Sequence, residues 1–221
     1  MLTQIYEIAS AQEAAAICAI GVDHVGVLVG DGSFPREQSL ASAMAIAASI
    51  RPPSKLSALF LSSDLAFVAR AVRELEPPIV HLGAASELVT TEHVLELRRA
   101  LPDVRIMRSV PVVGPESIAV AATYEGIADF ILLDSYSAKD RQIGALGIPH
   151  DWGISRQIVE KLRTPVILAG GLGPDNVAEA IRIVGPAGVD SKTRTDQGET
   201  HTKDLVKVRL FHEAAREAAG T

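Results

Sequence analysis

Short apolar runs and amphipathic segments take turns along the whole chain, with no break in the rhythm. The apolar runs are too short for helices and read as strands: Leu2–Ile8, Asp23–Val29, Lys55–Leu61, Ile79–Leu82, Val104–Val110, Ala128–Asp134, Val166–Ala169 and Ala187–Asp190. Between them, apolar residues recur at helical spacing, which predicts helices over about 10–20, 39–51, 63–75, 91–101, 115–124 and 153–163. A seventh starts within Leu172–Asn176, with Pro174 in its first turn and Asp175 complementing its dipole, and an eighth spans Lys203–Ala219. Ser10 with Glu13 forms a capping box, and Ser63-Asp64 cap the third helix. Residues 135–152 are expected to be a long polar loop.

Runs such as Val166-Ile167-Leu168-Ala169 suit strands buried on both faces, as in a parallel sheet. Eight strand-then-helix units without an internal linker predict a single-domain TIM (β/α)8 barrel over residues 1–221. The rival is an open doubly wound sheet, which would carry a Gly-rich nucleotide loop after its first strand. Here the first strand ends in Glu7-Ile8-Ala9-Ser10, without glycine, so the barrel is preferred.

The last two units carry the clearest chemistry. Gly170 and Gly171 lack side chains, so their backbone N–H groups can approach an anion closely. One strand later, Ser191, Lys192, Thr193 and Arg194 add donors and positive charge. Adjacent loops of this kind after strands seven and eight make a phosphate site in many barrels. The plainer alternative is a tight turn followed by a solvated basic loop.

Charge and cysteine content narrow the classes. A net charge of −6 argues against nucleic-acid binding, so an anion site must be a local basic spot. The single cysteine, Cys18, excludes an internal disulfide and lies in an apolar helical stretch as a structural thiol. No His/Cys/carboxylate cluster has metal-ligand spacing, so no metal or cofactor is implied. No apolar run reaches membrane-spanning length and no leader pattern opens the chain, so a cytoplasmic protein without membrane contact is expected.

The segment ILAGGLGPDNVAEAIRIVGPAGVD resembles the corresponding stretch of phosphoribosylanthranilate isomerases, and a weaker likeness covers nearly the whole chain. The resemblance implies a TIM barrel, a phosphate held by the Gly-Gly loop and the loop after the next strand, and an aldose-to-ketose (Amadori-type) isomerisation. It implies a small phosphorylated substrate, an acid/base mechanism and a monomer or homodimer.

At the barrel mouth, Asp134 ends the apolar run Phe130-Ile131-Leu132-Leu133. It matches the family's general acid, which protonates the furanose ring oxygen; otherwise it caps the next turn. The family's base is the cysteine of a Lys-Ile-Cys-Gly motif on strand one, where this chain has Gln4-Ile5-Tyr6-Glu7. Aligning on Ser10 puts Glu7 at the thiol position, and aligning on Gly21-Val22-Asp23 puts Tyr6 there. A carboxylate can remove a proton beside an imine, so Glu7 is the candidate base. The alternative is that Glu7 pairs with Arg108 across the mouth.

Three further residues are candidates for holding the substrate, besides Tyr6. Arg36 matches an arginine that contacts the substrate's carboxylate, His81 replaces the Gln of Val-Gln-Leu-His-Gly, and Arg108 takes a strand-five lysine position. The loop Gly144–Trp152 keeps glycines and Asp-Trp of the family but has Ile148 in place of a lysine, and Ser191–Arg194 replaces Val-Ser-Ser-Gly. Scaffold and anion site thus look retained, while the substrate end diverges. The alternatives to the isomerase are another reaction on a phosphorylated metabolite, or a non-catalytic phosphometabolite-binding protein.

Overall fold

The computed structural model describes residues 1–137, 142–143, 149–198 and 200–220. Eight parallel strands close into a barrel: β1 (Leu2–Ile5), β2 (His24–Leu28), β3 (Lys55–Phe60), β4 (Ile79–Leu82), β5 (Arg105–Pro111), β6 (Phe130–Asp134), β7 (Val166–Leu168) and β8 (Gly188–Ser191). The closing pair is β1 with β8, Gln4 lying opposite Asp190 and Ile5 opposite Ser191. Around it run α1 (Ala11–Ile20), α2 (Leu40–Ala47), α3 (Leu65–Leu75), α4 (Thr91–Ala100), α5 (Ser117–Ala122), α6 (Trp152–Lys161), α7 (Val177–Val184) and α8 (Leu205–Gly220). No helix among the described residues is long and apolar enough to cross a membrane.

Local sequence explains most of the boundaries. The Ser10 hydroxyl accepts from the Glu13 N–H and caps α1, while the Glu13 carboxylate reaches past the cap residue to the Ala9 N–H, so half of the expected capping box forms. Asp64 caps α3 and Asp151 caps α6 through their carboxylates. Three boundaries depart from the periodicity. α7 starts at Val177, so Pro174 and Asp175 lie in the turn before it, with Asn176 at the cap position. β1 stops at Ile5, because Glu7 takes a left-handed conformation, φ 61°, that interrupts the extended run, although the Tyr6 and Ile8 N–H groups still reach the Ser191 and Gly26 carbonyls. Within the expected loop 135–152, Tyr136–Ser137 pairs antiparallel with Gln142–Ile143.

The molecule has two apolar cores. The larger lies between strands and helices and gathers Ile5, Val25, Val27, Val80, Ile106, Ile131 and Val189 with the inner faces of the helices. The smaller fills the lumen with Tyr6, Ile79, Met107, Phe130, Leu132, Ile167 and Ala169. Successive side chains on a strand point to opposite faces, so each strand divides its residues between the two.

The lumen is also polar. Gln4 donates to Asp190 Oδ1 at 3.2 Å and its carbonyl oxygen lies 3.0 Å from His24 Nδ1. Above it the Tyr6 hydroxyl hydrogen-bonds Ser57 at 2.8 Å and His81 Nδ1 at 2.6 Å, and His81 Nε2 reaches the Ser109 hydroxyl at 2.6 Å. Burial pushes His24 down to about 4 and His81 to about 3, so both imidazoles are neutral. The Tyr6 ring has room because Gly26 faces it: a Cβ there would overlap the ring at Tyr6 Cδ1. Gly26→Ala is therefore expected to destabilise the fold by about 1–3 kcal/mol through overpacking. The check is thermal melting beside Gly220→Ala, where a Cβ meets nothing within 4 Å and the backbone is helical.

Candidate active site

The mouth is formed where β6, β7 and β8 end. Phe130 and Leu132 belong to the lumen core, and Asp134 follows at the same alternation on the last position of β6. Its Oδ1 accepts from the Ser135 N–H at 2.8 Å. Enclosure by the barrel wall outweighs that bond and pushes the Asp134 carboxyl up to about 7. Across the mouth, Asp190 projects inward from β8 and is nearly sealed from solvent. Desolvation holds its carboxyl well above the usual range, and the Asp134 charge adds to the effect, against the Gln4 hydrogen bond and Lys203. Two inward carboxyl groups thus share one electrostatic environment.

These carboxyl groups line a pocket together with Gly170, Gly171, Leu172 and Ser191–Arg194. Gly170 and Gly171 have φ of 83° and 62°, which glycine alone adopts without strain. At Gly170 a side chain would also collide with His150, whose Nδ1 lies 2.7 Å from where a Cβ would stand. Thr193 opens a short 3-10 turn, Thr193–Thr195, so the loop after β8 curls its backbone around the pocket rim. The two loops expected to form an anion site therefore do converge, with the Lys192 side chain beside them.

Two of the expected phosphate ligands use their side chains elsewhere. Ser191 Oγ donates to the Leu172 carbonyl at 2.7 Å, tying one loop to the other. The Arg194 guanidinium pairs with Asp175 at 2.6 Å and reaches the Gly171 carbonyl at 3.4 Å, so its charge is neutralised on the rim. Both side chains brace the two loops against each other. Lys192 stands at the centre of a cluster of charges: its Nζ is 3.4 Å from Glu7 Oε2 and 3.3 Å from Asp196 Oδ2. Asp196 is paired in turn with the buried Lys203 at 2.5 Å, which anchors the start of α8 beneath the loop.

On the β1 side, Tyr6 points into the lumen and Glu7 stands at the rim. That places Tyr6, not Glu7, at the inward position following Gln4, and gives Glu7 a backbone conformation suited to glycine. The arrangement agrees with the register in which Tyr6 takes the thiol position of Lys-Ile-Cys-Gly. The Tyr6 phenol is pushed up by burial and already engaged with Ser57 and His81, so it is a poor proton acceptor. Glu7 pairs with Arg36 and Lys192, not with Arg108 across the mouth.

Arg108 requires a correction. Met107 and Ser109 face the lumen, so alternation sends Arg108 to the outer layer. It is fully buried there, donates to the carbonyls of Leu82 and Val89, and stacks on the Tyr124 ring at 5.3 Å. It cannot touch a substrate in the mouth. His81 is inward but lies sealed below Tyr6, which makes it a support for that ring. Ile148 lies outside the described residues. Asp190 is the site residue that sequence reasoning misses, although it follows an apolar run just as Asp134 does.

Comparison with known proteins agrees with this geometry. The family model for N-(5'-phosphoribosyl)anthranilate (PRA) isomerase matches residues 3–214. An N-(5'-phosphoribosyl)anthranilate isomerase from Methanocella arvoryzae is 39% identical, over 92% of this chain and 93% of its own. One from Haloferax volcanii is 36% identical over 93% of this chain and 89% of its own. Among solved structures, the phosphoribosyl anthranilate isomerase from Thermus thermophilus superposes with a TM-score of 0.82 at 21% identity, covering 100% of both chains. The enzyme from Pyrococcus furiosus gives 0.78 at 23% identity, covering 98% of this chain and 99% of its own. The sequence matches span the strands and loops that build the pocket, and the chain belongs to the N-(5'-phosphoribosyl)anthranilate isomerase family.

Proposed function

We propose that the chain is an aldose–ketose isomerase that opens a phosphoribosylamine and converts it into the 1-amino-1-deoxyketose, with N-(5'-phosphoribosyl)anthranilate as substrate. The observation that carries the proposal is the pair of inward carboxyl groups, Asp134 and Asp190, on one pocket between two loops suited to phosphate. Gly170, Gly171, Lys192, and the Thr193 and Arg194 backbone hold the phosphate. Asp134 keeps its proton to near neutrality, as a general acid must. It protonates the furanose ring oxygen, the C1–O bond breaks, and the amine lone pair forms the C1–N double bond. A carboxylate then removes the C2 proton. The C–H electrons form C1–C2, the iminium electrons return to nitrogen, and the enol so formed tautomerises to the ketone.

The base in this proposal is Asp190 in its ionised form, a minority state because burial holds its proton, and therefore a strong acceptor when formed. Two coupled carboxyl groups share their protons, and the singly protonated pair contains one acid and one base. Tyr6 starts from a phenol's much higher range, is raised further by burial, and is engaged with Ser57 and His81, so its ionised form is scarcer still. A second reading makes Glu7 the base, favoured by its place at the mouth beside Lys192 and within electrostatic reach of Asp190. Arg36 then serves the acid group of the aglycone in either case.

Turnover of N-(5'-phosphoribosyl)anthranilate tests the proposal. Asp134→Asn and Asp190→Asn are each expected to lower kcat by roughly 10²–10⁴-fold, with a bell-shaped pH profile in the parent. Full activity in Asp134→Asn would sink the acid assignment, and loss in Glu7→Gln with Asp190→Asn active would select the second reading. Lys192→Ala should raise KM and weaken inorganic phosphate binding in calorimetry, because the loops then lack their inward cation.

Stability gives an independent check on Asp134. A carboxyl whose proton is held more tightly in the folded chain stabilises the fold fully below its unfolded value of 3.8, and the contribution is lost as pH rises through about 7. Asp134→Asn, always neutral, should therefore melt progressively higher than the parent as pH climbs from about 4 to about 8. A difference in melting temperature that is flat across that range would show an ordinary carboxylate.

A further inference from the structure

At the β1–β2 side of the mouth the chain supplies an acid to its own cationic corner. Arg36 Nε lies 2.5 Å from Glu7 Oε2, and the Arg36 NH2 group donates to Oε1 at 3.1 Å. The Lys192 ammonium approaches the same Oε2 to 3.4 Å. The Glu7 side chain is only 10% exposed and that of Lys192 8%, so this carboxylate is enclosed. A guanidinium and an ammonium converging on one carboxylate beside a pocket is how proteins grip an anionic ligand.

The backbone adds a second observation. Glu7 and Arg36 both stand in the left-handed region, with φ of 61° and 67°, and neither is glycine. Such conformations persist where surrounding contacts over-determine them, and they gather at binding sites. The Arg36 loop is otherwise well held: the Glu37 carboxylate accepts from the Gly32 and Phe34 N–H groups, and the Gly30 and Gln38 N–H groups close its base. Arg36 is therefore presented on a braced loop, and Glu7 meets it from a position that a glycine would fit with less strain.

We infer that Glu7 is an internal occupant of the carboxylate subsite: in the unliganded chain it fills the place that the acid group of a substrate takes, and that group must displace it from Arg36. The inference rests on the substrate reading above and adds a specificity determinant to it. A ligand with the same sugar phosphate but no carboxylate leaves the Glu7–Arg36 pair intact and meets no such competitor. Glu7 thus narrows the advantage that an acidic aglycone would otherwise have over a neutral one.

Calorimetry with two unreactive ligands separates the possibilities. One is reduced 1-(o-carboxyphenylamino)-1-deoxyribulose 5-phosphate, and the other is the same compound without its carboxyl group. Each is titrated into the parent, Glu7→Gln and Glu7→Gly; the glycine variant suits the backbone and the glutamine variant keeps the side-chain size. Both variants are expected to bind the carboxylated ligand roughly five- to tenfold more tightly than the parent, the scale set by losing a partly buried ion-pair competitor. Release of Lys192 from Glu7 raises phosphate affinity for both ligands alike, so the decarboxylated ligand gains less and the ratio of the two affinities moves roughly three- to fivefold toward the carboxylated one, a shift that a merely structural Glu7 would not produce. Equal or weaker binding of the carboxylated ligand in both variants, with both ligands bound by the parent, overturns the inference alone. If neither ligand binds any of the three proteins while inorganic phosphate does, the substrate reading fails and the inference falls with it.

Discussion

In a closed parallel barrel each strand can send only every second side chain inward, and the functional geometry follows from that constraint. β1 delivers Leu2, Gln4 and Tyr6 to the lumen, β6 delivers Phe130, Leu132 and Asp134, and β8 delivers Asp190 and then Lys192. Because β1 and β8 are hydrogen-bonded neighbours, the series from those strands climb side by side to the mouth. The alternate series, Thr3 and Ile5 or Val189 and Ser191, serves the layer beneath the helices and the bracing between loops. Position along a strand decides height in the barrel, and parity decides whether a residue can meet a ligand at all.

The cluster of ion pairs stands at the upper end. Lower in the lumen, polar groups are neutral and satisfied pairwise, as in the Gln4–His24 contact and the Ser57–Tyr6–His81–Ser109 series. At the rim, Glu7, Arg36, Lys192, Asp196 and Lys203 compensate one another within a small volume. Asp134 and Asp190 sit at the boundary between these regimes, too enclosed to ionise easily and too close to the pocket to be inert. That boundary is where proton transfer is easiest to arrange, since a small change in surroundings moves the proton.

Much of this is legible in residue order. Strand and helix periods differ enough that eight alternating units can be read directly, and Asp134, Gly170 and Gly171 are visible because each follows an apolar strand. Parity is not legible. A strand buried on both faces has apolar residues in both series, so nothing in Arg105–Pro111 itself tells that Arg108 points outward. Side-chain partners across loops are equally hidden: Arg194 is drawn to Asp175, and Ser191 to the Leu172 carbonyl, by a convergence of segments that local sequence does not encode. Asp190 is hidden for another reason, since its short strand reads as a lead-in to the basic loop that follows it.

The fit between Tyr6 and Gly26 reaches beyond packing. The ring occupies the space that a side chain on the neighbouring strand would need, so the two positions are correlated in volume. A small residue at position 6 would empty a ring-sized space and remove the hydroxyl partner of Ser57 and of His81 Nδ1. Enlarging position 26 first would collide with the ring already there. Positions 6 and 26 are therefore two halves of one packing solution, and a change at either is felt at the other.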